Sequence, residues 1–174
     1  DKGVLTTASI QEITQLAQDN NVPIVVDPKK RNFLTYTHVD CFKPNLKELK
    51  EGTKSDFNNK DIEAIKASVA KLKANQSHKG LMVTLSELGV YIDKEEKTHI
   101  PAHDRKIADV SGAGDTVISV AALAIATKQK ASVVAALSNL AGGLVCEFVG
   151  VVPVDKQQLL KEAEFLVHSG QLTV

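Results

Sequence analysis

The sequence predicts an α/β fold with a mainly parallel sheet. Short, continuously apolar runs are typical of strands buried on both faces, and here they alternate with longer segments of helical periodicity. Two of these runs end at an acid or a proline, as "PIVVD" does at Asp27 and "VDCFKPN" does at Pro44. The chain has 174 residues, which is enough for one domain with a sizeable core.

The first half of the chain is predicted to supply three helices and three strands. Ser9 and Glu12 have the spacing of a capping box with Ser9 at the N-cap, so we expect a helix from Ile10 to about Asp19. The other elements are strands at 23–27, 39–45 and 81–85, a short helix at 46–51 stopped by Gly52, and a longer helix from Asp61 with Ile62, Ile65, Val69 and Leu72 on one face.

The second half begins with a predicted hairpin and continues as helices. "GVYID" and "THIPA" alternate in polarity around the charged "KEEK", which indicates two antiparallel strands joined by a solvated loop. Three helical segments follow, at about 115–127, 132–149 and 155–167, and Gly150 and Pro153 separate the last two. No repeat, low-complexity stretch or obvious domain linker interrupts this pattern.

Composition excludes several classes of partner. The 21 Lys and Arg residues equal the 21 Asp and Glu residues, whereas a nucleic-acid binder usually carries a basic excess. No apolar run approaches the ~20 residues that a membrane span needs, and no signal peptide is visible. Cys41 and Cys146 lack metal-ligand spacing, so we interpret them as reduced core thiols of a cytosolic protein. We therefore expect neither a nucleic-acid nor a membrane partner.

A glycine turn stands directly before an apolar helix in "DVSGAGDT". Gly112, Ala113 and Gly114 allow the backbone to approach a ligand closely, and the first turn of a helix offers unpaired N–H groups and a positive dipole end. Such a turn can hold a phosphate, and Asp115 beside it can act as general base for an attacking hydroxyl. The residues alone leave a second interpretation open, in which Asp115 complements the helix dipole and the glycines only shape the turn.

Four short motifs stand in order along the chain, "NLKE" at 45–48, "VTLSELG" at 83–89, "DVSGAGDT" at 109–116 and "ALSNLAGGLVCEFVG" at 136–150. Their order and spacing resemble those of the ribokinase-like, or PfkB, carbohydrate kinases. The first and third match that family's N-x-x-E and D-[TV]-[TS]-G-A-G-D patterns, the second follows T-x-G-x-x-G with Ser86 in place of the first glycine, and the fourth resembles the helix that packs against adenine. The motifs extend from residue 45 to residue 150, so the sequence is identified as a member of this family.

The resemblance implies a ribokinase-like three-layer α/β/α sandwich and an ATP-dependent kinase. It implies that Asp115 is the catalytic base and that the amides of Gly112, Ala113 and Gly114 form the anion hole. The implied cofactors are ATP, Mg²⁺ and a monovalent cation, K⁺. The remaining implied residues are Asn45 and Glu48 for magnesium and phosphate, Thr84, Ser86, Gly89 and Asn139 for the nucleotide, and Asp109 and Ser111 for the monovalent cation.

Within the family, the sequence most resembles the heptose-7-phosphate kinases. "VVDPKKRNFLTYTHVDCFKPNLKE" looks like their D-P-K segment followed by P-N-x-x-E, and Ser86 stands where most sugar kinases have glycine. This implies transfer of phosphate to the anomeric hydroxyl of D-glycero-D-manno-heptose 7-phosphate, in ADP-heptose biosynthesis. Two alternatives stay open, another PfkB enzyme of the fructokinase, ribokinase or nucleoside kinase type, and a non-catalytic nucleotide-binding fragment.

The resemblance also implies that residues 1–174 are the C-terminal, nucleotide-binding part of one kinase domain. "DKGVLT" matches a point past the middle of that domain, so we expect the sugar contacts to lie upstream of Asp1 and any adenylyltransferase to lie beyond Val174. We expect the full-length protein to be a cytoplasmic homodimer that binds nucleotide and sugar phosphate. We expect the 174 residues alone to be inactive.

Overall fold

A computed structural model describes residues 3–172, in two units that comprise residues 3–84 and 85–172. In the described part of the first unit, β2 pairs in parallel with β1 on one side and with β3 on the other. The elements of this unit are α1 (Thr7–Asp19), β1 (Val25–Val26), β2 (Cys41–Phe42), α2 (Leu46–Thr53), α3 (Ile62–Gln76) and β3 (Leu81–Thr84).

Helix α1 begins earlier than predicted because a different pair of residues forms its capping box. The Thr6 hydroxyl accepts a hydrogen bond from the Ser9 N–H at 3.1 Å, and the Ser9 hydroxyl accepts one from the Thr6 N–H at 2.9 Å. The prediction of Ser9 as N-cap was therefore wrong, since Thr6 is the N-cap and Ser9 is the third helical residue. A capping box needs two side chains, three positions apart, that accept backbone hydrogen bonds. Two hydroxyl residues can therefore form one, as Ser9 and Glu12 could have done.

The core of the first unit forms where the continuous apolar runs predicted it. The side chains of β2 and the first three side chains of β3 are fully buried, as are those of Ile65 and Val69 on the predicted face of α3. Gly52 does not end α2, which was the prediction, because the helix continues to Thr53 and Lys54 adopts the left-handed conformation after it. A Cβ on Gly52 would lie 2.1 Å from Phe33 Cε1, so this glycine makes room for an aromatic ring.

The second unit contains the predicted hairpin and three helices. Strands β4 (Val90–Asp93) and β5 (Lys97–Ile100) pair in antiparallel register, with Val90 opposite Ile100. The helices are α4 (Ala113–Ala126), α5 (Ala131–Val145) and α6 (Lys156–His168). Relative to the prediction, α4 begins two residues earlier and α5 ends four residues earlier, because Gly112 is already the N-cap of α4 and the chain turns at Cys146.

The charged hairpin loop has a structural role that the sequence did not predict. Glu95 Oε1 accepts a hydrogen bond from the Ala131 N–H at 3.0 Å, and Glu96 Oε1 accepts one from the Ser132 N–H at 2.9 Å. These carboxylates satisfy amides at the start of α5, whose own N-cap, Lys130, supplies no side-chain bond. The loop is solvated as predicted, with Glu95 and Glu96 exposed, and it also caps α5.

Helix α5 is the centre of the second unit. It is buried on most sides, and its residues Val133, Ala136, Leu140 and Leu144 pack with Leu166 of α6. A Cβ on Gly142 would lie 2.6 Å from Val117 Cγ2, so this glycine lets α4 approach α5 closely. Within residues 3–172, none of the helices combines the length and the apolar character that crossing a membrane requires.

Candidate active site

The predicted anion hole is a left-handed turn at the start of α4. Gly112 is the N-cap of this helix and has a φ of 79°, in the region that favours glycine. A Cβ at this position would lie 3.0 Å from Val151 Cγ1. Ala113 and Gly114 are the first two residues of the helix rather than part of a separate turn before it. The backbone thus turns tightly into α4 without a side chain over its first amides.

Helix α4 differs from the other five α-helices of residues 3–172 in the capping of its N-terminus, because no side-chain oxygen binds its first amides. The Ala113 N–H donates a long hydrogen bond of 3.3 Å to the Val110 carbonyl, and the N–H groups of Gly112 and Gly114 donate to no group of the described residues. Such amides suit an anion. Side chains cap the other five helices, Thr6 for α1, Asn45 for α2, Asp61 for α3, Glu95 and Glu96 for α5, and Asp155 for α6.

Asp115 is the third residue of α4 and its side chain is exposed. Within the described residues, its carboxylate has neither a hydrogen-bond donor nor a cationic partner, while its backbone carbonyl accepts from the Ser119 hydroxyl at 2.7 Å. The carboxylate therefore does not cap the helix, although it lies in the first turn where an acid complements the dipole. An exposed, unengaged carboxylate beside free amides is the arrangement that a general base for a bound hydroxyl needs.

The Asp109 carboxylate forms hydrogen bonds that hold the segment leading into this turn. Its Oδ1 accepts from the N–H and the hydroxyl of Ser111 at 3.0 and 2.9 Å, and its Oδ2 accepts from the Gly150 N–H at 2.9 Å. The Gly150 N–H, followed by the Ser111 donors, lowers the pKa of Asp109 below its usual value. Asp109 and Ser111 thus shape the turn itself, and their role as ligands of a monovalent cation stays a prediction.

Of the nucleotide-site residues predicted in the second unit, Ser86 and Gly89 have positive φ angles, and Asn139 binds the end of the hairpin. Ser86 has a φ of 54°, in the left-handed region that favours glycine, so a glycine at this position of the T-x-G-x-x-G pattern would adopt the same backbone without strain. Gly89 has a φ of 88°, and a Cβ on it would lie 2.1 Å from the Ile100 carbonyl oxygen. Asn139 Nδ2 donates to the Pro101 carbonyl at 2.9 Å and so tethers the end of the hairpin to α5.

The predicted residues of the first unit, Asn45, Glu48 and Thr84, lie together. Asn45 Oδ1 accepts from the Glu48 N–H at 2.9 Å, and Glu48 Oε2 accepts from the Asn45 N–H at 2.9 Å, so the N-x-x-E motif is also a capping box for α2. Thr84 forms a parallel β-bridge with Asn45 at the end of β3. The motif is therefore rigidly held at the carboxyl edge of β2 and β3.

Lys29 lies between the carboxylates of Glu48 and Asp27, and Lys43 lies on the other oxygen of Asp27. Lys29 Nζ lies 3.6 Å from Glu48 Oε1 and 3.5 Å from Asp27 Oδ1, and the buried Lys43 Nζ lies 3.5 Å from Asp27 Oδ2. Burial alone would lower the pKa of Lys29, but the charges of Asp27 and Glu48 raise it above its usual value. The two acids and two lysines form a charge-balanced cluster after β1 and β2.

Sequence reasoning missed Arg105, whose side chain ties together three parts of the second unit. Its guanidinium binds Glu147 Oε1 at 2.7 Å and also binds Glu162. These partners lie 42 and 57 positions away in the sequence, so no local pattern could have identified them.

Comparison with known sequences places the chain among carbohydrate kinases. Residues 2–157 match the pfkB family carbohydrate kinase profile. Bifunctional protein HldE of Desulfatibacillum aliphaticivorans is 34% identical over 91% of this chain and 32% of its own length. Bifunctional protein HldE of a Nitratiruptor species is 38% identical over 91% of this chain and 33% of its own length. The chain therefore spans about a third of the length of these curated relatives.

Solved structures share the fold at low sequence identity. Phosphofructokinase-2 from Escherichia coli in complex with potassium superposes with a TM-score of 0.83 at 17% identity, over 94% of this chain and 53% of that chain. Arabidopsis thaliana ribokinase complexed with ribose and ATP superposes with a TM-score of 0.76 at 20% identity, over 90% and 52%. These likenesses confirm the predicted ribokinase-like α/β fold class with its mixed, mostly parallel sheet. Together with the family match over residues 2–157, they show that the chain belongs to the pfkB family of carbohydrate kinases.

Proposed function

We propose that the full-length protein is an ATP-dependent kinase that phosphorylates D-glycero-D-manno-heptose 7-phosphate at its anomeric hydroxyl, in ADP-heptose biosynthesis. The observation that carries the kinase proposal is the open N-terminus of α4, with Asp115 exposed in its first turn. The choice of substrate rests on the resemblance of the D-P-K segment, Asp27 to Lys29, to heptose-7-phosphate kinases. It is supported by the relatives, which are bifunctional HldE proteins.

The chain's own residues supply two parts of the proposed chemistry in the second unit. The N–H groups of Gly112 and Gly114, with that of Ala113, bind oxygens of the transferring phosphoryl group and stabilise the charge that develops on them. Asp115 accepts the proton of the attacking sugar hydroxyl. Phosphoryl transfer depends mainly on positioning and electrostatic stabilisation, which is what a rigid turn with free amides provides.

Asn45 and Glu48 are proposed to act on the magnesium side of the reaction. Mg²⁺ takes oxygen ligands and keeps several of its waters, and it neutralises phosphate charge when bound. The carboxylate of Glu48 and the amide oxygen of Asn45 already accept backbone hydrogen bonds, so they fit contacts to magnesium-bound waters better than a closed set of direct bonds. Thr84, Ser86, Gly89 and Asn139 are proposed to line the nucleotide.

Two further parts of the proposal concern K⁺ and assembly. Asp109 and Ser111 are proposed to hold a monovalent cation through oxygen lone pairs that their mutual hydrogen bonds leave free, and one structural neighbour was solved in complex with potassium. The full-length protein is proposed to be a cytoplasmic homodimer. The buried thiols Cys41 and Cys146 are consistent with a reducing compartment.

The experiment is a substrate panel with the full-length protein and ATP. Release of ADP is measured with heptose 7-phosphate, fructose, fructose 6-phosphate, ribose and a nucleoside, and ³¹P NMR locates the new phosphate. We expect the highest kcat/KM with heptose 7-phosphate and a product phosphorylated at the anomeric carbon. A higher kcat/KM with another acceptor would replace the proposed substrate, and no turnover with any acceptor would overturn the kinase proposal.

A parallel assay tests residues 1–174 by themselves, as the nucleotide-binding part of one kinase domain. Because a nucleotide site alone cannot hold an acceptor hydroxyl in line with the γ-phosphate, we expect weak ATP binding and no sugar-dependent ADP release. Robust turnover by these residues would show that they also contain the sugar site.

A further inference from the structure

The segment from 101 to 110, which leads from β5 into the glycine turn, has no regular secondary structure and little apolar anchoring. Of its ten residues, only His103, Arg105 and Asp109 are not exposed, and all three are polar. The position of the turn at Gly112 therefore depends on polar contacts rather than on burial of apolar side chains.

Arg105 makes the strongest of these contacts. Its side chain is 9% exposed, and its two terminal nitrogens bind different carboxylates, those of Glu147 just after α5 and of Glu162 in α6. A Cβ on Gly143 would lie 2.9 Å from Arg105 Nε, so α5 has no side chain at the place where the guanidinium passes. The planar fork of arginine suits two carboxylates at once, which a lysine cannot match.

A second set of bonds ties the end of the same segment to the same part of the structure. The N–H groups of Ala108 and Asp109 donate to the Cys146 carbonyl at 2.8 and 3.2 Å. The Asp109 carboxylate accepts from the Gly150 N–H at 2.9 Å. The chain that enters the glycine turn is thus fixed to the stretch after α5 at two levels, first by Arg105 and then by Asp109.

We propose that Arg105 is a positioning residue for the anion hole, because its bonds to Glu147 and Glu162 fix the segment that carries the amides of Gly112 to Gly114. This inference rests on the proposed function for its catalytic consequence. Without the guanidinium, two carboxylates would face each other in a largely buried place, and the segment would lose its anchor between Pro101 and Ala108. A displacement of about 1 Å at a reacting group costs as much as 100-fold in rate.

The first test is hydrogen exchange in the full-length Arg105→Met protein. We expect amide exchange across residues 106–116 to become roughly tenfold faster, while β4 and β5 keep their wild-type rates. Lys106→Met is the matched control, because it removes an exposed positive charge from the same segment without removing an anchor. Its exchange rates should equal those of the wild type.

The second test separates phosphate binding from the rest of the nucleotide. Affinities for ATP and adenosine are measured with kcat for the same variants. Arg105→Met should weaken ATP binding and lower kcat by about 10–100-fold while leaving adenosine affinity within twofold of wild type. Arg105→Lys, which keeps the charge but not the fork, should fall between Arg105→Met and wild type.

Either of two results would overturn the inference. One is a folded Arg105→Met protein with wild-type exchange at residues 106–116 and wild-type ATP affinity. The other is uniformly faster exchange throughout residues 85–172 with equal losses of ATP and adenosine affinity, which would indicate a purely structural role. If Arg105→Met does not fold, Arg105→Lys and Glu162→Gln replace it, and wild-type behaviour of both would count against the inference.

A wild-type protein that does not bind ATP would overturn the proposed function, whereas the exchange result tests the anchoring by itself.

Discussion

The N-termini of α2 and α4 both carry family motifs, and they treat their first amides in opposite ways. At α2, the side chains of Asn45 and Glu48 cap each other's backbone N–H groups at 2.9 Å. At α4, the N-cap is a glycine, and the N–H groups of Gly112 and Gly114 have no partner within the described residues. The start of α2 is capped by its own side chains, whereas the first amides of α4 have no side-chain cap.

The difference shows how one feature of helix geometry serves two purposes. Unpaired amides at a helix start are a cost that a capping side chain removes, and the same amides become an anion site when no side chain covers them. At α4 the glycine conformation disfavours a side chain, and the Asp115 carboxylate accepts no hydrogen bond from an amide within residues 3–172. We therefore expect substitutions at α4 to change phosphate chemistry and substitutions at α2 to change helix stability first.

The largest expected effect is that of Asp115→Asn in the full-length protein. Removal of a general base should lower kcat by about 10²–10⁴-fold, because the sugar hydroxyl would lose its proton acceptor. Asp104→Asn, at another exposed acid of the second unit, is the matched control and should keep wild-type turnover. Steady-state ADP release measures both. An Asp115→Asn enzyme that keeps more than about a tenth of wild-type kcat would remove Asp115 from the role of base.

The next largest effect is expected from Gly112→Ala, compared with Gly170→Ala. Both glycines have a positive φ, 79° and 72°, so each alanine should cost about 1 kcal/mol of unfolding free energy through backbone strain. Only the Gly112 variant should also weaken ATP binding, by roughly tenfold, because its Cβ would lie 3.0 Å from Val151 Cγ1 and would shift the turn that carries the amides. Chemical denaturation and ATP titration are measured on the same samples. Equal ATP affinity in the two variants would make Gly112 a residue of the fold alone.

A smaller effect is expected at α2, where Asn45→Ala is compared with Asp61→Ala at the start of α3. Each substitution removes a side-chain cap with a bond of 2.9 or 3.0 Å, so each should cost about 1 kcal/mol of unfolding free energy. Only Asn45→Ala should also raise the Mg²⁺ concentration needed for half-maximal turnover. If both variants show the same Mg²⁺ dependence, Asn45 is a capping residue without a part in the reaction.

The smallest effect is a pH dependence at α5, whose start is capped by carboxylates from the hairpin. Although burial raises the pKa of Glu95, hydrogen bonds from Lys94 and from the Ala131 N–H lower it below its usual value, and bonds from Ser132 lower the pKa of Glu96. At pH values just below the ordinary glutamate pKa of 4.5, the unfolded chain therefore binds more protons than the folded chain. The free energy of unfolding should fall as the pH drops through this range. In Glu95→Gln/Glu96→Gln, Tm between pH 6 and pH 3 should fall less steeply than in the wild type. An unchanged slope would show that these caps do not contribute to acid sensitivity.

Elements with a strong local pattern could be predicted from the sequence. The helix ends that depend on a choice between alternative local contacts could not. The buried strands and the hairpin around "KEEK" are where apolar runs and alternation placed them. The start of α1 was misplaced because Thr6–Ser9 and Ser9–Glu12 are both plausible boxes, and only tertiary context selects one of them. The end of α2 was misplaced because Gly52 serves packing against Phe33 rather than termination.

For the candidate site too, the local motifs could be predicted and the long-range contacts could not. Motif resemblance predicted roles for Asn45, Glu48 and the glycine turn, which stay predictions, but it did not indicate that N-x-x-E would form a capping box, although its spacing is that of one. The roles of Glu95, Glu96 and Arg105 were not predicted, because each depends on a partner more than 30 positions away in the sequence. Long-range polar pairs leave no periodic signal, so only the folded chain reveals them.

The most direct test of the central claim follows the backbone amides of α4 and α2 by ¹⁵N NMR while ATP is added to the full-length protein. If the open start of α4 binds phosphate, the amide signals of Gly112, Ala113 and Gly114 should shift with ATP and not with adenosine, and the Glu48 amide should keep its hydrogen-bonded shift. Signals of Gly112 to Gly114 that stay in place at saturating ATP would contradict the claim, whichever other residues respond.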